Sequence, residues 1–371
     1  MTAFFWNLDL GNFPEEATLT TMFLACIFFG IVPMVIYAFI VWRLDRWEKE
    51  PVPLLIAAFV WGAIPAVIFA IIAQSILGLA VADIPEDESL LVQIYQASIV
   101  APVTEEVIKG IGLLAIFLLF RREVDSVLDG LIYGSMIGFG FSAVENILYF
   151  FGQENVGALL LLVFLRAFVF GMLHALFTGL FGVGLALGKF SSNPFLRVAW
   201  PALGLAFGIA THALHNYFAT LGGENILYAV LGISLGMVWF ILTIIICLRH
   251  ENRWIQIQLS EEVDNGVLFA QQAIDTSHFW TRSSLSALSQ GFGLVWSRRK
   301  LLHEATELAF AKQRVLNLGS SEPRLQRIEG LRERVRRLSR EDPLVLAGVI
   351  EPGRRLPPPL PPVRRMPPPL P

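Results

Sequence analysis

Seven long apolar runs constrain this chain more than any other feature. They cover roughly residues 19–42, 53–80, 91–120, 127–151, 157–188, 196–221 and 224–248. A helix needs about 20 apolar residues to cross hydrocarbon. Backbone placed there must satisfy its own hydrogen bonds, so unbroken runs of this length form helices. Composition agrees: of 371 residues, 55% are hydrophobic and only 16% charged, with mean hydropathy +0.61. A water-soluble fold has no means of hiding that much apolar surface. The expected fold is all-α, a polytopic transmembrane bundle of about seven spans with a helical and Pro-rich cytoplasmic tail. The lipid bilayer is the solvent, and no nucleic acid is expected as a partner. Cys26 and Cys247 both fall inside apolar runs and read as small packing residues, with no redox or zinc spacing. The stretch before the first run has no Lys or Arg and resembles no cleaved signal peptide.

Charge gives the runs an orientation. Met1–Leu248 holds nine Lys/Arg against 18 Asp/Glu, a balance of −9, and the remainder holds 19 against 13, or +6. Arg43, Arg46 and Lys49 follow the first run, and Arg121 and Arg122 the third. Lys189 and Arg197 flank the fifth-to-sixth turn, and Arg249 follows the seventh. The loops between carry Asp83, Glu86, Asp87 and Glu88, then Glu154, then Glu224, without a Lys or Arg. Basic loops stay in the cytoplasm, so the expected placement is a plasma-membrane protein with the N-terminus outside and the C-terminus inside. A basic tail on that side faces anionic lipid.

The chain divides at these composition shifts into a transmembrane domain (1–248), a cytoplasmic helical tail (249–350) and a Pro-rich disordered end (351–371). Residues 298–317 have helical periodicity up to Gly319. Ser321 and Pro323 then open a second helix, so the spacing predicts a hairpin lying near the membrane surface. The end carries RRLPPPLP and RRMPPPLP, with R-x-x-P-x-x-P at Arg355–Pro358–Pro361 and Arg365–Pro368–Pro371. That spacing suits a polyproline-binding partner; the other reading is a solvated, extended tail.

Ionisable groups inside hydrocarbon cost about 2.5–3.5 kcal/mol each on insertion scales, so those present call for a reason. The third run holds Glu105, Glu106 and Lys109, and the fourth Glu145 with Asn146. The fifth holds Arg166 and His174, and the sixth His212, His215 and Asn216. Glu105 and Lys109 are four apart and share a helix face. Gly204, Gly208, His212 and Asn216 form one stripe, as do His174, Thr178 and Gly182; Gly130, Gly134 and Gly138 run toward Glu145. Small residues so spaced let helices approach closely, which turns the polar stripes inward.

Carboxylates and imidazoles in a dry cavity can activate water, with one Glu as general base and a second group polarising an amide carbonyl. Two His and one Glu also match a catalytic zinc that keeps one position open. No HExxH occurs, so such ligands would come from separate helices. The same groups can also serve a proton-coupled transporter, or tie helices together in a non-catalytic scaffold. Transporters often show paired halves, and no such repeat is visible here.

The motifs resemble those of the PrsW family of intramembrane proteases. Glu105-Glu106-Val-Ile-Lys109 is similar to its EExxK, and Phe141-Ser-Ala-Val-Glu145 with Asn146 to its second motif. His174 is similar to its third, and His212-Ala-Leu-His215-Asn216 to its final HxxxN. The resemblance covers roughly residues 20–250. It implies an endopeptidase of a superfamily shared with CAAX prenyl endopeptidases and a non-catalytic γ-secretase subunit. Lys109 in place of a later Arg, and Glu145 in place of a His, favour the PrsW branch over a CAAX-type prenyl-protein protease. Thr178 is a departure, since some relatives carry an acidic residue there. On this reading the substrate is a membrane-anchored protein, of the anti-sigma-factor kind. Glu105 is the leading group for water activation, with Glu106 beside it as ligand or hydrogen-bond partner. Glu145 and His174 share in activating water or binding metal. His212 and Asn216 bind the same centre or stabilise the oxyanion, and His215 has the lesser claim. The metal set would be Glu145, His174 and His212 around zinc, with metal-free, glutamate-driven hydrolysis as the alternative.

Overall fold

The computed structural model describes residues 19–45, 47, 49–79, 89–153, 155–277, 292–346, 348 and 350. The acidic loop at 83–88, Arg46, Glu154 and the Pro-rich repeats lie outside these residues. The described residues are helical and contain no β-strand. Six stretches are long and apolar enough to cross a membrane: Thr21–Leu44, Val52–Gly78, Val127–Phe151, Val156–Phe190, Pro194–Leu221 and Gly223–Asp264. The protein is therefore a multi-pass membrane protein. The third apolar run is helical too but stands apart from these six, because Glu105, Glu106 and Lys109 fall in one stretch of it.

Two compact units divide the described residues, one comprising those up to Leu44 and Glu50–Ile244, the other those of Asp45–Lys49 and those after Ile244. In the first unit, α1 is Leu19–Leu44. Next, α2 runs as Val52–Trp61 and Val67–Gly78 around a π turn, Gly62–Ala66. In α3, Ser89–Tyr95 and Ala101–Leu119 flank a π turn at Gln96–Val100. Then come α4 (Val127–Phe151), α5 (Val156–Val163, ending in a π turn Phe164–Val169), α6 (Leu173–Phe190) and α7 (Pro194–Leu221). The last helix, α8, is Ile226–Asp264.

The bundle is built around α4, whose apolar window is 89% buried where that of α7 is only 6% buried. Ser126 starts α4 with a full capping box: its hydroxyl accepts from the Asp129 amide, and the Asp129 carboxylate accepts from the Ser126 amide. The expected glycine stripe then meets the expected stripe on α6 in register. A methyl built on Gly130 would lie 2.3 Å from the Gly182 carbonyl oxygen, one on Gly134 2.7 Å from that of Thr178, and one on Gly138 2.3 Å from that of His174. Only hydrogen at these positions lets the two backbones touch. On the other side of α6, Gly204 and Gly208 of α7 pack against the Leu180 and Phe177 carbonyls in the same way. The polar side chains on these stripes are drawn into the spaces between.

In the second unit, α8 continues to Asp264 instead of ending near residue 248, since no Gly or Pro falls between Leu248 and Gly266, which has φ +66°. Helix α9 is Ala270–Ser277, α10 Phe292–Leu318, α11 Glu322–Arg340 and α12 Pro343–Leu346. Gly319 (φ +81°) turns α10 into α11, where Ser321 and an early Pro open the helix as the spacing predicts. Trp47, Ile255, Leu259, Leu301, Leu308 and Val335 form the core. Glu262 is fully buried there and accepts from Lys312 Nζ at 2.8 Å and from Arg332 Nε and Nη2, each at 2.8 Å.

Candidate active site in the membrane bundle

The site is assembled where α3, α6 and α7 meet α4. Pro102 begins the straight part of α3, and the turn after it carries Glu105, Glu106 and Lys109, all buried. Glu106 is the most heavily bonded carboxylate of the site. Its Oε1 accepts from Lys109 Nζ at 2.5 Å and faces His212 Nδ1 at 3.0 Å, while Oε2 accepts from Thr178 Oγ1 at 2.9 Å. Lys109 therefore pairs chiefly with Glu106, three residues back, and more loosely with Glu105 at 3.7 Å. Its ammonium also sits 4.2 Å from the Phe141 ring centroid and 3.1 Å from His174 Nδ1.

That last contact settles a tautomer. An ammonium only donates, so His174 Nδ1 accepts and Nε2 carries the proton, which it donates to Glu145 Oε2 at 2.9 Å. Glu145 also accepts from Arg166 Nη2 at 2.5 Å, and Arg166 Nε donates to Asn146 Oδ1 at 2.9 Å. The guanidinium lies 3.8 Å from the Tyr149 ring centroid. Arg166 is thus a clamp on Glu145, and Glu145 orients His174. The backbone break at Phe170–Met172 lets α6 start afresh with His174 in its first turn.

Glu105 is different. Its Oε1 accepts from Gln74 Nε2 of α2 at 3.2 Å. Its Oε2 is buried with no hydrogen-bond partner, 3.9 Å from His212 Nε2. Because His212 Nδ1 faces the Glu106 carboxylate, it donates there, which turns Nε2 toward Glu105. Rings hold His212 there: Phe177 stacks on it at 4.6 Å and His174 meets it edge-on at 5.1 Å.

Of the residues expected from sequence, the structure brings Glu105, Glu106, His174 and His212 into one group whose ligand atoms all lie within 4.8 Å of one another. Glu145 stands behind His174 rather than in that group, its Oε2 occupied by Arg166 and His174. Asn216 donates to the Ala97 carbonyl at 2.8 Å, bridging α7 to the π turn of α3. His215 packs its ring 4.8 Å from Phe170, with Nδ1 buried and without a hydrogen-bond partner. Sequence reasoning missed Gln74, although it is the sole amide side chain in the second apolar run, where a polar group is costly. Arg166 balances a carboxylate of the preceding helix, Glu145.

The donor set fits a divalent ion by type and spacing. Two imidazoles and two carboxylates are zinc-type ligands, and the four atoms are close enough to share one centre. The Lys109 ammonium now contacts Glu106, His174 and Glu105, so an ion would take its place there.

Comparison with known sequences agrees with this geometry. The model of the PrsW family of intramembrane metalloproteases matches residues 50–246, over half of the chain. The chain belongs to the PrsW family. Protease PrsW of Clostridioides difficile (strain 630) is 27% identical over 188 residues, covering 51% of this chain and 76% of that one. Protease PrsW of Bacillus subtilis (strain 168) is 27% identical over 213 residues, covering 57% and 89%. Protease PrsW of Geobacillus kaustophilus (strain HTA426) is 24% identical over 188 residues, covering 51% and 76%. No solved structure matches. The PrsW match contains every residue of the buried group, as well as Gln74 and Arg166.

Proposed function

We propose that this PrsW-family hydrolase cleaves peptide bonds of membrane-anchored proteins, with Glu105 as the group that takes a proton from water. The observation carrying this reading is Glu105 Oε2: a buried carboxylate oxygen with no hydrogen-bond partner, 3.9 Å from His212 Nε2 and 3.7 Å from the Lys109 ammonium. A water placed there donates one proton to Glu105 and presents its oxygen to a substrate carbonyl. The O–H bond breaks as the C–O bond forms, and Glu105 returns the proton to the leaving nitrogen when the C–N bond breaks.

The other groups position and balance. Lys109, Thr178 and His212 hold both oxygens of Glu106, which keeps the negative charge of Glu106 fixed beside the water. Arg166 and Glu145 fix the His174 ring. With Lys109 withdrawn from His174 Nδ1 and Glu106 Oε1, Glu106, His174 and His212 would hold a zinc ion, leaving Glu105 to act on water. When bound, such an ion lowers the pKa of water and polarises the carbonyl. Asn216 keeps a role in the oxyanion region in this reading, through its place on the same α7 stripe as His212. The loop charges support a plasma-membrane placement with the N-terminus outside, so the tail after Arg249 faces the cytoplasm and its Pro-rich end is open to a polyproline-binding partner. An anti-sigma-factor-like anchor protein is the substrate class the family resemblance supports.

The test is Glu105→Gln in full-length protein reconstituted in liposomes with a single-span reporter helix. The amide keeps the shape and removes the base, so cleavage should vanish while the folded protein remains. Wild-type cleavage by Glu105→Gln, per folded molecule, would remove the catalytic role from this residue. A wild-type chain that carries protons and cleaves nothing would point instead to a transporter.

A further inference from the structure

We propose that Gln74 is a positioning residue of the active site: it clamps Glu105 Oε1 and so leaves Oε2 as the reactive oxygen. This rests on the reading of Glu105 as the water-activating group. Gln74 lies on the second half of α2, a helix that contributes none of the motif residues. Its neighbours Ile72, Ser75 and Ile76 are exposed on the bundle surface, while Gln74 itself is half-buried and turned toward α3. Its Nε2 reaches Glu105 Oε1 at 3.2 Å and Thr104 Oγ1 at 3.4 Å.

The orientation of that amide follows from its partners. A carboxylate only accepts, so the nitrogen of Gln74 must face it; the reverse placement would set two oxygens against each other. Thr104 is committed as well, its hydroxyl donating back to the Val100 carbonyl at 2.8 Å, which leaves its oxygen free to accept from Gln74. The two N–H groups of Gln74 therefore have two acceptors on consecutive residues of α3. The carboxylate of Glu105 hangs on a rotatable stem. Without the clamp, either oxygen can turn to Lys109, which is already 3.7 Å from Oε2. With it, one oxygen is fixed and the other is held opposite His212.

A plain packing role would predict a different outcome from a positioning role. Gln74→Met keeps length and volume and removes both donors. In the full chain reconstituted with the single-span reporter, Gln74→Met should lower kcat at least about tenfold, the least that loss of one charge-assisted hydrogen bond produces. KM should stay unchanged. Ser75→Ala, on the exposed side of the same turn, should match wild type in both. A second readout does not depend on cleavage. A membrane-soluble carbodiimide labels accessible carboxyl groups, and mass spectrometry reports the rate at Glu105. Freed from the clamp, Glu105 should label several times faster in Gln74→Met than in wild type. An unchanged labelling rate overturns the clamp whatever the activity. A loss that appears in KM alone also overturns it and makes Gln74 a substrate contact. Faster labelling in a chain whose wild type cleaves nothing leaves the clamp standing and refutes the protease reading instead.

Discussion

Gly138 offers a test of how finely the site depends on helix packing. A methyl added there would lie 2.3 Å from the His174 carbonyl oxygen and 2.4 Å from its carbon. Ordinary contact begins near 3.4 Å, so α4 and α6 must part locally by the difference, 1.1 Å. Neither obstacle is a flexible side-chain tip; both belong to helix backbone. Overpacking of this kind costs about 1–3 kcal/mol, which a large bundle survives. His174 does not survive it as well, because its ring bond of 2.9 Å to Glu145 spans the same gap, while its 3.1 Å contact to Lys109 ties it to α3. A misplacement of about 1 Å in a catalytic constellation lowers rate roughly 100-fold. Gly138→Ala should therefore fold, with a lowered melting temperature in detergent, and cleave the reporter about 100-fold more slowly per folded molecule. Gly232→Ala, where nothing lies within 4 Å, serves as the matched control and should change neither. Undiminished cleavage by Gly138→Ala would refute the claim that the glycine stripe sets the position of His174.

Other expectations follow from buried charge. Lys109→Met strips Glu106 of its 2.5 Å partner and should destabilise the bundle by about 3–5 kcal/mol, read as loss of folded protein by size exclusion. Glu262→Leu in the second unit should cost less than that range of about 3–5 kcal/mol, since Lys312 keeps Glu261 and Arg332 keeps Glu329; faster hydrogen exchange around Leu301 and Leu308 would register it. Purified protein should carry one zinc per chain, and thorough chelation should abolish cleavage until zinc is restored. Activity that persists in metal-free protein would assign the hydrolysis to the glutamate alone.

Much of the bundle was readable in advance because membrane helices obey few rules. The bounds of α4 were visible in the apolar run from 127 to 151, and the glycine spacings announced which faces meet. The carboxylate-lysine grouping on α3 was visible from the four-residue interval between Glu105 and Lys109, although Lys109 pairs chiefly with Glu106, three residues back. What the intervals could not show was the partner of each oxygen. Glu105 and Glu106 are adjacent and chemically alike, and only the positions of Thr178, His212 and Gln74 separate a saturated carboxylate from a half-free one. Glu145 looked equivalent to them as a ligand, and Arg166, brought in by the π turn of α5, draws it one step back. The reach of α8 past residue 248 was hidden for another reason: polarity changes there while helix propensity does not.

The three π turns, at Gly62–Ala66, Gln96–Val100 and Phe164–Val169, each store one surplus residue in an otherwise regular helix. Insertion or loss of a single residue elsewhere in a membrane helix turns everything beyond it by about 100°, carrying inward faces out to lipid. At a π turn the extra residue is absorbed within the bulge itself. These are the points at which the chain length of a span can drift between relatives while the rest stays in phase. A gap-free alignment through Phe164–Val169 would therefore pair Arg166 with the wrong face of a relative that lacks the bulge. Loss of one residue within that turn here would leave a sound α-helix and swing the Arg166 guanidinium away from Glu145.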